Sequence, residues 1–237
     1  MTLNDFDALT FDCYGTLIDW ETGLLRALQP WLGARVPDDA VLEKFAAAES
    51  RIQADAPGMR YPDILAATLR SLGECWRIPV SDGEARAFGD SIGTWPAFAD
   101  SAAALRELKR HCRLAVLSNV DGASFARSNE QLGVVFDHVF TADDIGSYKP
   151  DLGNFRYALQ RLSEAGVEPR RVLHVAQSLF HDHVPAKRLG LATVWIDRRA
   201  GKPGGGATPP AAAVPDWRFE SLAEFASALC RARDGRT

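Results

Sequence analysis

Short apolar runs that alternate with amphipathic stretches constrain this chain more than any other feature. The runs are Ala8–Asp12, Leu114–Ser118, His138–Thr141, Val172–Ala176 and Thr193–Ile196, and they are rich in Val, Leu and Phe. Several are apolar at successive positions, as strands covered on both faces of a parallel sheet are. Between them, Ala99–His111, Ser124–Leu132, Asn154–Ala165 and Asp182–Leu189 carry helical spacing. The alternation predicts an α/β fold built on a doubly wound parallel sheet.

One segment breaks the rhythm. From about Thr22 to Trp95 only helical patterning is present, in GLLRALQPWL, DAVLEKFAAAESRIQ, DILAATLRSLGECW and GEARAFGDSIG. This predicts an all-helical insertion over residues 18–98, set as a cap on the sheet's active edge, with 1–17 and 99–237 forming the core. The Gly- and Pro-rich stretch Gly201–Asp216 reads as a flexible or partly extended surface loop, followed by a closing helix in SLAEFASALCRA.

Composition removes several function classes. A net charge of −4 gives no electrostatic reason to expect nucleic acid or an anionic membrane as partner. No apolar run approaches the roughly 20 residues that span a bilayer, and MTLNDFDAL lacks the regions of a signal peptide. The four cysteines are scattered with no CxxC pair, which speaks against a zinc knuckle. A reduced, cytoplasmic protein without disulfides is the expectation.

In open α/β sheets ligands bind beyond the carboxyl ends of the strands, so the polar residues there are the ones to read. The first strand ends in Asp12, followed by Tyr14, Gly15 and Thr16, and the next core strand ends in Ser118-Asn119. SYKPD then places Lys149 before a proline, and VLHVA is followed by QSLFHD with Asp182. Asp12 on a rigid strand end suits a nucleophile, with Lys149 holding it ionised and offsetting charge as it attacks. Ser118 and Asn119 suit hydrogen bonding to an anionic substrate group. Each residue has a plainer reading: Ser-Asn as turn chemistry, Lys149 as a solvated loop residue, Asp182 as a helix cap. Their order and spacing as a set carry the functional reading.

FDCYGTLID, LSN, YKPD and the segment from Asp182 to Gly190, in this order, resemble the haloacid dehalogenase superfamily of hydrolases, over Phe6 to Arg198. The resemblance implies a Rossmann-like core with a helical cap. Most members are Mg²⁺-dependent phosphatases with a second Asp two residues after the nucleophile and acidic metal ligands in the fourth motif. Here those places hold Tyr14, Gln177 and Ser178. Asp-x-Tyr-Gly-Thr instead resembles the type II L-2-haloacid dehalogenases, which need no metal or other cofactor. That resemblance implies attack by Asp12 on the halogen-bearing carbon of a short 2-haloacid, then hydrolysis of the aspartyl ester to a 2-hydroxy acid. Lys149 and Asp182 would position groups and activate water. Ser118, Asn119, Thr16, Gln177 and backbone groups near Tyr14 would hold the small-molecule carboxylate. A homodimer is also implied.

The match is incomplete. The dehalogenases carry Ser and Asn five and three residues before the fourth-motif Asp, where this chain has Gln177 and Leu179. Their halide-cradling aromatic and arginine fall here on Ile64 and on Lys44 or Phe45, with Arg51 or Arg60 as nearby substitutes. Arg51 enters the expected binding set on that ground, although exposed helix and loop cations are the plainer reading for both arginines. His181 and His183, two apart, are too few for a metal site and are expected in supporting or surface roles. Three alternatives stay open: the same mechanism on another leaving group such as an azetidine-2-carboxylate ring, an Mg²⁺ phosphatase with other ligands, and a non-enzymatic binding protein.

Overall fold

The computed structural model describes residues 1–202 and 206–235. In chain order its elements are β1 (Ala8–Phe11), α1 (Trp20–Leu32), α2 (Asp38–Asp55), α3 (Tyr61–Trp76), α4 (Asp82–Asp90), α5 (Ser101–Lys109), β2 (Arg113–Ser118), α6 (Gly122–Leu132), β3 (His138–Thr141), α7 (Ala142–Ile145), α8 (Leu152–Glu164), β4 (Val172–Ala176), α9 (Val184–Arg188), β5 (Ala192–Ile196), β6 (Trp217–Phe219) and α10 (Leu222–Arg233). The strands form one parallel sheet in the order β3-β2-β1-β4-β5-β6. Every residue of β1 and β4 is buried, as the apolar runs require. The chain winds from β1 through β2 to β3, then returns to the other side of β1 for β4. The β1–β4 boundary is therefore the switch point where such sheets open a crevice for ligands.

The sixth strand was not foreseen. Trp217–Phe219 is three residues long and pairs only with β5, too short for its alternation to stand out beside the Pro-rich stretch before it. That stretch also departs from the surface loop expected of it. Residues 203–205 lie outside the described set, but Ala207 is fully buried and Thr208 nearly so. The Ala207 N–H donates to Glu21 Oε1 at 3.0 Å, which draws this part of the chain inward against α1.

Helices α1–α4 follow one another between β1 and α5, and the residues 22–95 contain no strand. Capping explains several boundaries. Asp19 accepts from the Thr22 N–H at the start of α1, and Ser81 forms a capping box with Glu84 ahead of α4. On α2 the buried positions Val41, Leu42, Phe45, Ala46, Ala48, Glu49 and Gln53 trace one face. No helix among the described residues is long and apolar enough to cross a membrane.

Candidate active site

The loop after β1 is folded tightly around one carbonyl. Cys13 O accepts from the N–H groups of Thr16, Leu17 and Ile18 at 3.3, 2.7 and 3.0 Å. Gly15 sits at φ +95°, and a Cβ there would meet the Trp20 indole nitrogen at 3.0 Å; the turn requires glycine. Arg198 pins the loop from outside, donating twice to Thr16 O (3.1 and 2.9 Å) and once to Asp100 Oδ2 (3.0 Å). Asp12, immediately past β1, is held by its own N–H on Val175 O at 3.1 Å.

Lys149 joins the strand ends. Its ammonium is 1% exposed and donates to Asp12 Oδ1 at 2.9 Å, Asp182 Oδ1 at 2.7 Å and Leu117 O at 2.9 Å, so all three protons are engaged. The second Asp12 oxygen accepts from the Thr16 hydroxyl at 2.7 Å. Asp182 lies in a π-helical turn, Leu179–His183, ahead of α9, and its side chain faces Lys149 and His174 rather than capping a helix. Pro150 precedes Asp151, the N-cap of α8, and so stands just outside that helix.

Two carboxylates share one ammonium in a buried site, and their acidities separate. Burial raises the Asp12 carboxyl above its ordinary range, Lys149 pulls it back, and the neighbouring Asp182 charge adds to the rise. Asp182 is also opposed by burial, but Lys149 and the hydrogen bond from His174 outweigh it and hold it well below the usual range. Lys149 loses by burial and gains more from the two carboxylates, so it stays charged. The geometry thus keeps Asp182 as a fixed anion and leaves Asp12 as the carboxylate that titrates.

His174 was missed. It is fully buried on β4, with Nε2 2.9 Å from Asp182 Oδ1 and Nδ1 2.9 Å from the Thr10 hydroxyl. With Asp182 ionised, Nε2 donates to it, and the contact of Nδ1 with Thr10 fixes the ring, which orients the carboxylate from behind. The signal was present: VLHVA carries one polar side chain in a strand otherwise apolar on both faces.

A cavity of about 40 Å³ opens above these groups, room for about three or four water-sized groups at roughly 10–15 Å³ each. Asp12, Tyr14, Ser118, Asn119, Lys149 and Asp182 line it from the sheet edge, joined by Ser178, His181 and Thr208. Trp20, Glu49, Gln53 and Tyr61 line it from the helical segment. Three buried polar atoms of these residues have no partner among the described residues: Ser118 Oγ, Asp182 Oδ2 and His181 Nε2. Each suits a substrate or water in the cavity.

Some expected positions lie away from the cavity, and others line it with their polar groups already engaged. Arg51 is exposed and donates to Ser71 Oγ at 3.0 Å, away from the cavity. Lys44 is exposed as well, and the exposed Arg60 lies 3.8 Å from Asp121. Gln177 is turned from the cavity because its N–H donates to Thr16 Oγ1 (2.9 Å) and its carbonyl accepts from Trp195 (2.9 Å); its side chain lies beside Gly15 and Thr208. Asn119 lines the cavity, but its amide is engaged with the backbone of Lys149, donating at 3.0 Å and accepting at 2.7 Å. The Tyr14 hydroxyl is bound to Ser128 Oγ at 2.7 Å, which leaves the ring as a wall. His181 and His183 are buried rather than at the surface, and burial lowers each to about 4, so both are neutral near pH 7.

An ammonium-bridged pair of carboxylates thus stands at the switch point of a parallel sheet, where such sheets bind their ligands. Residues 6–179 match the family model described as haloacid dehalogenase-like hydrolase. The chain belongs to that family. It is 32% identical to the (S)-2-haloacid dehalogenase of Pseudomonas sp. (strain YL) over 128 residues, 53% of this chain and 51% of that protein. A shorter stretch, 61 residues or 26% of this chain and 25% of the relative, is 38% identical to a glyceraldehyde 3-phosphate phosphatase of Methanocaldococcus jannaschii. The chain thus matches about half the length of the first of these relatives and a quarter of the second. Among solved structures, the L-2-haloacid dehalogenase PA0810 superposes with a TM-score of 0.76 at 25% identity, covering 94% of this chain and 99% of that one.

Proposed function

We propose that the protein is a metal-independent hydrolase whose Asp12 attacks the carbon bearing the leaving group of a short 2-haloacid and returns the 2-hydroxy acid. The observation that carries this reading is the Lys149 ammonium between Asp12 and Asp182. It keeps the nucleophile charged in a site where burial alone would protonate it. One Asp12 oxygen forms a bond to carbon as the halide leaves with its electron pair, giving an ester. Water then adds at the Asp12 carbonyl carbon, and the unpartnered Asp182 Oδ2 is the acceptor for its proton. Ser118 Oγ is the donor for the substrate carboxylate. The segment over 18–98 acts as a cap that keeps the ester from bulk water.

A magnesium phosphatase is the second reading because one relative is a phosphatase. The donor set does not fit it. Tyr14 directs its hydroxyl to Ser128, Gln177 is turned aside, and Ser178 contributes no carboxylate, whereas Mg²⁺ seeks hard oxygen ligands with carboxylate among them. Halide release from small haloacids in EDTA is expected to proceed undiminished. In heavy-oxygen water a single turnover should place the label in Asp12 and not in the product. Activity lost in EDTA and restored by magnesium would overturn the reading.

A further inference from the structure

Glu49 has no part in the steps above, yet it faces the same cavity. It is 2% exposed, on the buried face of α2, and Gln53 follows one turn later on that face. Its partner is the Tyr61 hydroxyl at the start of α3, which donates to Oε1 at 2.5 Å. Among the described residues lining the cavity Lys149 is the only cation at neutral pH, and its three protons are already engaged. A carboxyl buried without a cation favours its protonated form. Burial accordingly lifts Glu49 to about 7, with the Tyr61 hydrogen bond pulling slightly the other way. The other titratable groups that face it are Tyr14, Tyr148 beside Tyr61, the Asp12–Lys149–Asp182 cluster, and His181, which is neutral.

Displacement at carbon is in line, so the leaving group points away from Asp12. Glu49, Gln53 and Tyr61 line the cavity from the helical segment, apart from the strand ends that hold Asp12. A bare anion would depart there without any cation to receive it. We propose that Glu49 gives its proton to the leaving atom as Asp12 attacks, so that the site selects small 2-substituted acids whose leaving group departs poorly as a free anion, an alkyl fluoride above all. This rests on the reading that Asp12 attacks carbon. The Asp12 oxygen bonds to carbon, the C–F bond breaks with its electron pair on fluorine, and the Glu49 proton makes HF and leaves a carboxylate. Water adds to the Asp12 carbonyl carbon and the ester C–O bond breaks. The hydroxy acid leaves with one water proton, and the other returns through Asp12 and solvent to Glu49. The sum is R–F plus water giving R–OH plus HF.

The test compares 2-fluoropropanoate and 2-bromopropanoate from about pH 5 to 9. Because the acid must be protonated, fluoride release should fall as pH rises through about 7, while bromide release stays nearly level there. Glu49→Gln keeps the shape but loses the proton, and should cost fluoride release about 100-fold and bromide release no more than about twofold, with the alkaline limb gone. Tyr61→Phe removes the bond that lowers Glu49, so the limb should move to higher pH. Equal losses on both substrates, or an alkaline limb that survives in Glu49→Gln, would overturn the proposal. So would bromide turnover without fluoride turnover in the parent protein. A strained cyclic amine, already protonated, would prefer Glu49 ionised; faster opening above pH 7 would point to that leaving group and also sink the proposal. If neither haloacid yields halide or an Asp12 ester, the reading of Asp12 itself fails, and the proposal with it.

Discussion

The two walls of the cavity are built on opposite electrostatic plans. At the sheet edge Lys149 answers both Asp12 and Asp182, and Thr16, His174 and Leu117 O occupy much of the remaining hydrogen-bonding capacity. On the helical wall Glu49, Gln53, Tyr61 and Trp20 include no cation, and the one carboxyl is matched by a hydroxyl. Charges on short rigid strand ends are preorganised and cost little to reorient during reaction. A wall without a cation can distinguish leaving groups without holding them. The contrast suggests that the reaction type belongs to the sheet and substrate choice to the helices.

The sharpest way to break this division is at Asp12. Asp12→Asn keeps the shape and removes the nucleophile, so turnover is expected to fall roughly 10,000-fold or more with the fold intact by circular dichroism. Near-normal halide release from a variant shown by mass spectrometry not to have deamidated would remove Asp12 from the mechanism.

Lys149→Met tests whether the sheet wall works as a unit. It leaves two buried carboxylates with no shared cation, which then retain a proton between them. Activity should drop about 100- to 1,000-fold. Asp12 must be ionised to attack, so activity is lost as pH falls, and the acidic limb of the variant should lie at higher pH than in the parent. An unmoved limb with a near-normal rate would show that the ammonium is not what keeps Asp12 charged.

Asp182→Asn separates the two half-reactions. Asn still accepts from Lys149 but cannot take a proton from water, so the ester should form and then persist. A burst of halide, an Asp12 adduct in the intact mass and a kcat about 100-fold lower are expected. Loss of the burst itself would place Asp182 in the first step instead.

Legibility followed the same division. Asp12 and Ser118 stood out because a strand end is a short, fixed place in a sequence, and Lys149 and Asp182 because they fall in short motifs; the parallel order of β1, β2 and β4 then brings the segments after these strands to one edge. Asn119 and Gln177 were expected to bind substrate, and what a motif does not show is their partners: the Lys149 backbone for the Asn119 amide and the Trp195 indole for the Gln177 carbonyl. On the helical wall the resemblance put the halide-binding arginine at 44 or 45, and Arg51 and Arg60 entered only as nearby substitutes. What decides there is rotation about α2, and Glu49, seven residues after Leu42 on an apolar face, was the signal that passed unread.

Arg51 is the smallest test and the one that bears on that rotation. It lies two residues after Glu49, and two residues are about 200° around a helix. If Glu49 faces the cavity, Arg51 must face away from it, and the structure places it in solvent with Ser71 as its partner. An exposed arginine–serine contact contributes little, so Arg51→Ala should change stability by no more than about 0.5 kcal/mol. Its effect on halide release should stay within about twofold for any haloacid, because the charge is screened over that distance. Steady-state rates for bromide and chloride release, with a thermal melt alongside, make the measurement. A loss of tenfold or more in KM or kcat would mean that α2 turns or slides during the reaction and brings a cation over Asp12. The cation-free helical wall would then be one state of the molecule, and the electrostatic contrast between the two walls would hold only before substrate arrives.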